Sequence, residues 1–381
     1  MIKSAYIHIP FCEHICHYCD FNKVFLQGQP VDEYLKALEQ EIILTYKQYK
    51  EDELETIFVG GGTPTALNEK QLDRLCKTIR NNLPMSERVE FTFEANPGDL
   101  SHEKLQIVKD AGVNRISLGV QTFNDELLKQ IGRAHRASDV YRSIADIKEI
   151  GFENISIDLI FSLPGQTIAD FKETLQQAFT LDIPHYSGYS LIIEPKTVFY
   201  NLMTKGKLLT PGEDIEAEMY ELLMEEMDKN GFHQYEISNF SRPGFESRHN
   251  LTYWNNEEYF GFGAGAHSYI ESTRRSNLGP IKKYMDQIES GKLPVLEEHK
   301  VTKAEQMEEE MFLGLRKTEG VSVRKFNYKF GIDPITLFQN ELTSLVQKGW
   351  LEVSNEHIYL TKRGRLLGNE VFQSFLGISN D

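Results

Sequence analysis

From the N-terminus to about residue 195, six short β-branched or aromatic runs alternate with stretches whose apolar residues recur at helical spacing. The runs lie at 4–9, 55–60, 90–95, 115–120, 154–160 and 186–192, and Tyr34, Leu35, Leu38, Ile42 and Tyr46 typify the helical spacing. Strand, helix, strand at intervals of roughly 30 residues predicts parallel βαβ units. Consecutive apolar residues, as in Ile57-Phe58-Val59, suit a sheet buried on both faces. Six such units make three-quarters of an eight-stranded (β/α) barrel, open on one side. A doubly wound open sheet is the competing arrangement, and periodicity does not separate the two.

Polar and glycine residues gather where these runs stop. The first is followed by a group of cysteines, the second ends in Gly60-Gly61-Gly62-Thr63-Pro64, and the third ends in Glu94-Ala95-Asn96-Pro97. The fourth ends in Gln121, and the fifth holds Asp158 and leads to Pro164-Gly165. Ligands of parallel sheets sit at the carboxyl ends of the strands, so five strand ends carrying chemistry predict one site on one edge.

The last 80 residues read differently. Helices are expected over 302–317, 323–329 and 335–348, then a hairpin from Trp350 to Leu360 around Ser354-Asn355, then a helix after Thr361. That order predicts a winged-helix-like α+β module. Its 10 Lys+Arg against 11 Asp+Glu give weak support for DNA contact and favour a packing or partner-docking role. The resulting division is a partial barrel over 1–235, a connecting segment over 236–300 and the winged-helix-like domain over 301–381. The net charge of −16 argues against a general nucleic-acid binder. No run of about 18 apolar residues is present, and the N-terminus lacks a signal-peptide layout, so a cytoplasmic location is expected.

Three of the four cysteines fall within eight residues, Cys12-Glu-His-Ile-Cys16-His-Tyr-Cys19. In a reducing compartment such clustering indicates metal or redox chemistry. Thiolates hold iron–sulfur clusters, and three of them leave one iron of a cubane open. Zinc, with His14 or His17 as a fourth ligand, is the alternative, but no second ligand pair is evident. Cys76, within the helical pattern of Leu72, Leu75 and Ile79, reads as an apolar filler.

C-x3-C-x2-C directly after a first strand resembles the signature of the radical S-adenosylmethionine (SAM) superfamily. The resemblance implies a partial (β/α)6 barrel, a 4Fe–4S cluster on Cys12, Cys16 and Cys19, and SAM chelating the open iron. It also implies SAM contacts from Tyr6, Tyr18, Gly61, Gly62, Thr63, Glu94, Gln121, Arg133 and Asp158. These residue types suit such contacts. The glycine turn admits close backbone approach and offers amides. The carboxylates accept from ammonium or ribose hydroxyls, Gln121 both donates and accepts, and Arg133 pairs with a carboxylate.

Tyr-Ile-His-Ile-Pro-Phe-Cys, Gly-Gly-Gly-Thr-Pro-Thr, Asn-Pro-Gly, Gly-Val-Gln-Thr-Phe and Asp-Leu-Ile-Phe-Ser-Leu-Pro-Gly-Gln-Thr are similar to the oxygen-independent coproporphyrinogen III oxidase-like group. Two departures point away from the oxidase and toward the group's haem-chaperone branch. Phe21 stands where the oxidase has a fourth cysteine, and the first strand begins within about four residues of Met1, where the oxidase carries an extension. A third feature is His249-Asn250-Leu251-Thr252-Tyr253-Trp254, which resembles the HNxxYW motif linked to haem in that branch. An imidazole is an ordinary axial ligand for haem iron, so the resemblance implicates His249, with Asn250, Tyr253 and Trp254 around it. From residue chemistry alone, a loop histidine with a buried aromatic pair is the favoured reading, and it is the resemblance that turns the balance to haem. His267 carries no such motif.

The function implied is a haem chaperone that binds haem, a 4Fe–4S cluster and SAM, and passes haem to apoproteins of membrane-bound haem enzymes. SAM would then be bound without radical turnover. Nucleic acid is not an expected partner, and a homodimer is compatible with the resemblance. Oxidative decarboxylation of coproporphyrinogen III is the alternative, and a winged-helix redox regulator comes last.

Overall fold

The computed structural model describes residues 2–49 and 53–377. Strands β1 (Ser4–Ile9), β2 (Leu54–Gly61), β3 (Met85–Ala95), β4 (Arg115–Gln121), β5 (Asn154–Phe161) and β6 (His185–Ser190) lie side by side in chain order, each parallel to the next. Their crossovers contain helices α1 (Val31–Gln48), α2 (Glu69–Asn82), α3 (His102–Asp110), α4 (Ala137–Glu149) and α5 (Ile168–Phe179). Right-handed crossovers running always in one direction put all these helices on one face. A doubly wound sheet needs a reversal of strand order. None occurs among these strands, so the sheet curls about its helix-free face as a partial barrel.

The outward face carries the apolar side chains: Ile7, Ile9, Ile57, Val59, Phe91, Phe93, Ile116, Leu118, Ile155 and Ile157 are all buried against the helices. The sheet is buried on both faces as expected, but its inner face is polar. Strand alternation turns Thr56, Glu90, Thr92, Glu94, Arg115, Ser117, Ser156, Asp158, His185 and Ser187 inward. In register, Glu94 faces Ser117, and Gly119, Asp158 and Ser187 form one row. The barrel lumen is therefore polar, and that is what equips it to hold a ligand.

The chain from His233 to residue 300 does more than connect. It completes both edges of the sheet: β7 (His233–Glu236) and β8 (Asn239–Ser241) extend it antiparallel beyond β6, while β9 (Phe260–Phe262) runs parallel beside β1. Between β8 and β9 in the chain lies the short helix α6 (Arg248–Trp254). Buried Glu41 of α1 anchors the second edge by accepting from the Gly263 amide (2.7 Å), Asn277 Nδ2 (2.6 Å) and the Tyr284 hydroxyl (2.5 Å). Burial pushes the Glu41 carboxyl up to about 7.

The C-terminal module has a separate apolar core, including Met311, Leu315, Phe326, Phe338, Leu345 and Phe375. It contains α7 (Lys303–Gly314) and a small antiparallel sheet of Val321–Ser322, Leu351–Val353 and His357–Leu360. The helix expected over 335–348 is split into Pro334–Leu337 and Gln339–Gln347, because the Phe338 ring is buried against Phe326 and Phe375. The module is joined to the barrel edge by backbone bonds, Ile237 N to Arg316 O (3.0 Å) and Thr318 N to Tyr235 O (2.9 Å).

Candidate functional site

A cleft of about 460 Å³ opens at the carboxyl ends of β1–β6, on the edge where the chemistry was expected. It brings together Cys12, Cys16, Cys19, Tyr18, Gly61, Gly62, Thr63, Glu94, Gln121, Arg133 and Asp158. Tyr6 is set apart: its hydroxyl is 2.9 Å from His8 Nδ1 and its ring stacks on Phe58, one layer below the cleft.

Cys12 is buried in an extended pair with Phe25, and burial raises its thiol to about 11. Cys16 and Cys19 lie on the following loop, tightened by the Cys19 amide donating to the Cys16 carbonyl (3.2 Å). Burial also raises Cys19, an effect opposed by the nearby Lys23 ammonium. Among the described residues no three His, Cys, Asp or Glu side chains are arranged around a single ion. His17, one of the candidate zinc ligands, turns Nδ1 onto the Gln130 carbonyl at 2.9 Å. The three thiols line one cleft.

The glycine turn works differently from the sequence reading. Gly61 has φ +107, and a Cβ there would sit 2.3 Å from the His8 ring; at Gly62 it would meet the Ile9 carbonyl at 2.7 Å. The turn is thus pressed against β1, and glycine is required at both positions. However, its amides are not free. Gly61 donates to Glu94 Oε2 (3.0 Å), Gly62 to Ile9 O (2.8 Å) and Thr63 to Phe11 O (2.8 Å). The turn therefore gives a ligand close backbone approach without free amides at Gly61, Gly62 and Thr63.

A hydrogen-bond chain crosses the cleft to the cysteines. Arg133 Nη1 donates to Asn96 Oδ1 (2.7 Å), Asn96 Nδ2 to Thr63 Oγ1 (3.0 Å), and Thr63 Oγ1 to Cys12 Sγ (3.7 Å). Arg133 Nε is buried without a partner, a donor positioned for a ligand carboxylate. Burial raises Glu94 to about 7, helped by the facing Asp158 carboxylate. Burial likewise raises Asp158, against hydrogen bonds from Ser187 and Ser117 and the Arg115 and Arg133 charges. Two buried carboxyls held above their ordinary range make a lumen that favours an incoming cation. Gln121 closes β4 at φ +69, and Ser162, just beyond β5, has φ +62, so backbone strain is concentrated at the rim of the cleft.

The HNxxYW residues lie elsewhere, on α6, which plugs the amino end of the lumen. Glu90 holds this helix by accepting from the Arg248 amide (2.9 Å) and the His249 amide (3.0 Å). His249 is only 1% exposed, its ring stacked on Phe58 (5.2 Å). Both ring nitrogens are engaged, Nδ1 with Thr56 Oγ1 (2.8 Å) and Nε2 with the Tyr253 hydroxyl (2.9 Å). Burial, with the Arg115 charge, lowers the imidazole to about 3, so the ring is neutral as a metal ligand must be. Trp254 packs beneath the Arg316 guanidinium (4.9 Å), with its Nε1 buried and unpartnered, while the Asn250 backbone amide donates to the capping Ser247 Oγ.

Comparison with known proteins places this architecture. Residues 6–178 match the Radical SAM superfamily, and residues 301–367 match the HemN C-terminal domain. The chain is 59% identical over 377 residues to the heme chaperone HemW of Bacillus subtilis, covering 99% of this chain and 100% of that one. It is 48% identical over 374 residues to the heme chaperone HemW of Lactococcus lactis, covering 98% and 97%. The chain belongs to the HemW family. Among solved structures, the coproporphyrinogen III oxidase HemN of Escherichia coli, described as a radical SAM enzyme, superposes with a TM-score of 0.86. That match has 25% identity and covers 98% of this chain and 90% of that one.

In this HemW relative the structure gives further residues a place at the two sites. Asn96 relays Arg133 to Thr63, and Glu90 orients α6 from a strand 158 and 159 positions earlier in the chain. Tyr189 lines the cleft, and Glu216 accepts from Ser190 Oγ (2.5 Å) at its rim. Phe21 stands 59% exposed at the lip.

Proposed function

We propose that this chain is a haem chaperone that holds a 4Fe–4S cluster and SAM in the barrel cleft and passes haem to apoproteins of membrane-bound haem enzymes. The observation that carries the reading is full-length kinship with proteins named heme chaperone HemW. Cys12, Cys16 and Cys19 would hold the cluster; when bound, it offers an open iron to the SAM amino and carboxylate groups. Arg133 pairs with the SAM carboxylate, and Glu94 beside the Gly61–Gly62 turn receives its amino hydrogens. Asp158 and Gln121 take the ribose hydroxyls, and Tyr18 walls the site. No helix among the described residues is long and apolar enough to cross a membrane. We take the chain to meet its membrane-bound acceptors from the cytoplasm.

Haem is the cargo, and His249 is its proposed iron ligand. Its Nε2 must first leave the Tyr253 hydroxyl, since both nitrogens are engaged at rest. Haemin added to the reconstituted wild type is expected to give a Soret band that His249→Ala weakens or shifts. Identical spectra and affinities in the two proteins would remove His249 from the ligand role. The structural likeness to HemN keeps one alternative in view, oxidative decarboxylation of coproporphyrinogen III. Sustained protoporphyrinogen formation from coproporphyrinogen III, SAM and reductant would favour it.

A further inference from the structure

Beyond Tyr253 lies a cavity of about 330 Å³ between the barrel and helix α7 of the C-terminal module. His249 does not line it, and Tyr253 does, while its hydroxyl engages His249 Nε2. Tyr253 therefore stands between the imidazole and the cavity. Tyr259, Phe312 and Leu313 supply apolar walls. Two side chains on the walls can recognise an anion. Asn256 is 5% exposed, sits at φ +50 and has its Nδ2 buried without a hydrogen-bond partner. An orphaned amide donor in a cavity calls for an acceptor. Arg274 reaches the same space, its guanidinium forked onto Glu309 (2.9 Å and 2.9 Å) and lying over the Tyr269 ring at 4.3 Å.

We infer that this cavity is the haem pocket, with Tyr253 as a latch over His249, Asn256 and Arg274 as the propionate site, and Phe312 and Leu313 of the C-terminal module as the porphyrin wall. The inference rests on the proposed haem-binding role of His249. A ring swing at Tyr253 frees Nε2 toward the cavity and leaves the tyrosine ring available to pack on the porphyrin. The propionate then satisfies Asn256 Nδ2 and competes with Glu309 for Arg274. Glu257 and Glu309 are the opposing charges on the walls, and Glu309, already paired with Arg274, is the carboxylate that the propionate displaces. The volume is at the small end for a ligand pocket. Part of the macrocycle would remain outside, as a protein that hands haem onward requires. Because two walls belong to different domains, release of the module would also release haem.

Haemin titration of the full-length reconstituted protein, read by Soret position and affinity, tests the assignment. Tyr253→Phe removes the latch bond and is expected to tighten binding about three- to tenfold, the range of one hydrogen bond. Leu313→Trp fills the cavity and should weaken binding at least about tenfold. Asn256→Asp retains size and tolerates the left-handed backbone, but replaces the donor with a like charge, and should weaken binding by roughly tenfold. That variant decides the matter even where Leu313→Trp fails to fold. Wild-type affinity in Tyr253→Phe and Asn256→Asp, alongside a lost Soret band in His249→Ala, would overturn the pocket while leaving the haem-ligand reading intact. Wild-type haem binding in His249→Ala would overturn both.

Discussion

Cys16→Ala, reconstituted anaerobically with iron and sulfide, is expected to remain nearly colourless, where the wild type takes up about four irons and turns brown. Cys16 is the informative position because the fold does not depend on it. Its side chain is partly exposed on a loop, whereas Cys12 is buried and accepts from Thr63. Removal of a partly exposed loop side chain costs the fold roughly 0.5 kcal/mol or less. The melting transition of the apoprotein should therefore be unmoved while cluster content collapses. A variant that still loads four irons would contradict the cysteine assignment. A variant that unfolds would contradict the description of the loop as independent of the core.

Glu94→Gln is expected to change both the pH profile of stability and the affinity for SAM. The Glu94 carboxyl is raised from 4.5 to about 7 by burial, with the Asp158 charge adding to it. Between those values the folded state binds a proton that the unfolded state has lost, so its favourable contribution is complete below about pH 4.5 and disappears as pH rises through about 7. At 1.36 kcal/mol per unit the full swing is on the order of 3 kcal/mol. The substituted amide can still accept from the Gly61 amide but does not ionise. The variant should be the more stable protein at pH 8, with the difference vanishing near pH 4. Wild-type SAM affinity should rise with pH through about 7, and the variant should bind roughly 10- to 100-fold more weakly and without that rise. Calorimetric unfolding at pH 5 and pH 8, with SAM titration at each, measures both. Parallel profiles in the two proteins would show that Glu94 neither titrates near neutrality nor meets the ligand.

The barrel was legible because the signal for parallel units is local: β-branched runs, helical spacing between them and glycine or polar residues at the carboxyl ends. What stayed hidden was long-range. Asn239–Ser241 and Phe260–Phe262 are three residues each, too short to register as strands, and only their pairing with β6 and β1 makes them so. The polar lumen was obscured for a related reason. Runs such as Ile57-Phe58-Val59 read as uniformly apolar, while Glu90, Thr92 and Arg115 face inward without any motif around them.

The cleft was legible in outline, since its cysteines, Glu94, Gln121 and Asp158 each end a predicted strand. Its wiring was not. Gly61 and Gly62 were expected to present amides, but those amides are bound to Glu94 and β1, which composition cannot reveal. The histidine motif was visible as letters, yet its burial between Phe58 and Tyr253 depends on Glu90 and Thr56, far away in the chain.

Haem transfer is the most direct measurement of the central claim. Reconstituted protein carrying one equivalent of haemin is mixed with membrane vesicles containing a haem-depleted haem enzyme, and the Soret spectrum and acceptor activity are followed together. The expected result is loss of protein-bound haem matched by gain of acceptor activity, faster than from free haemin. Haem retained on the chain, or acceptor activation no faster than with free haemin, would contradict a chaperone function.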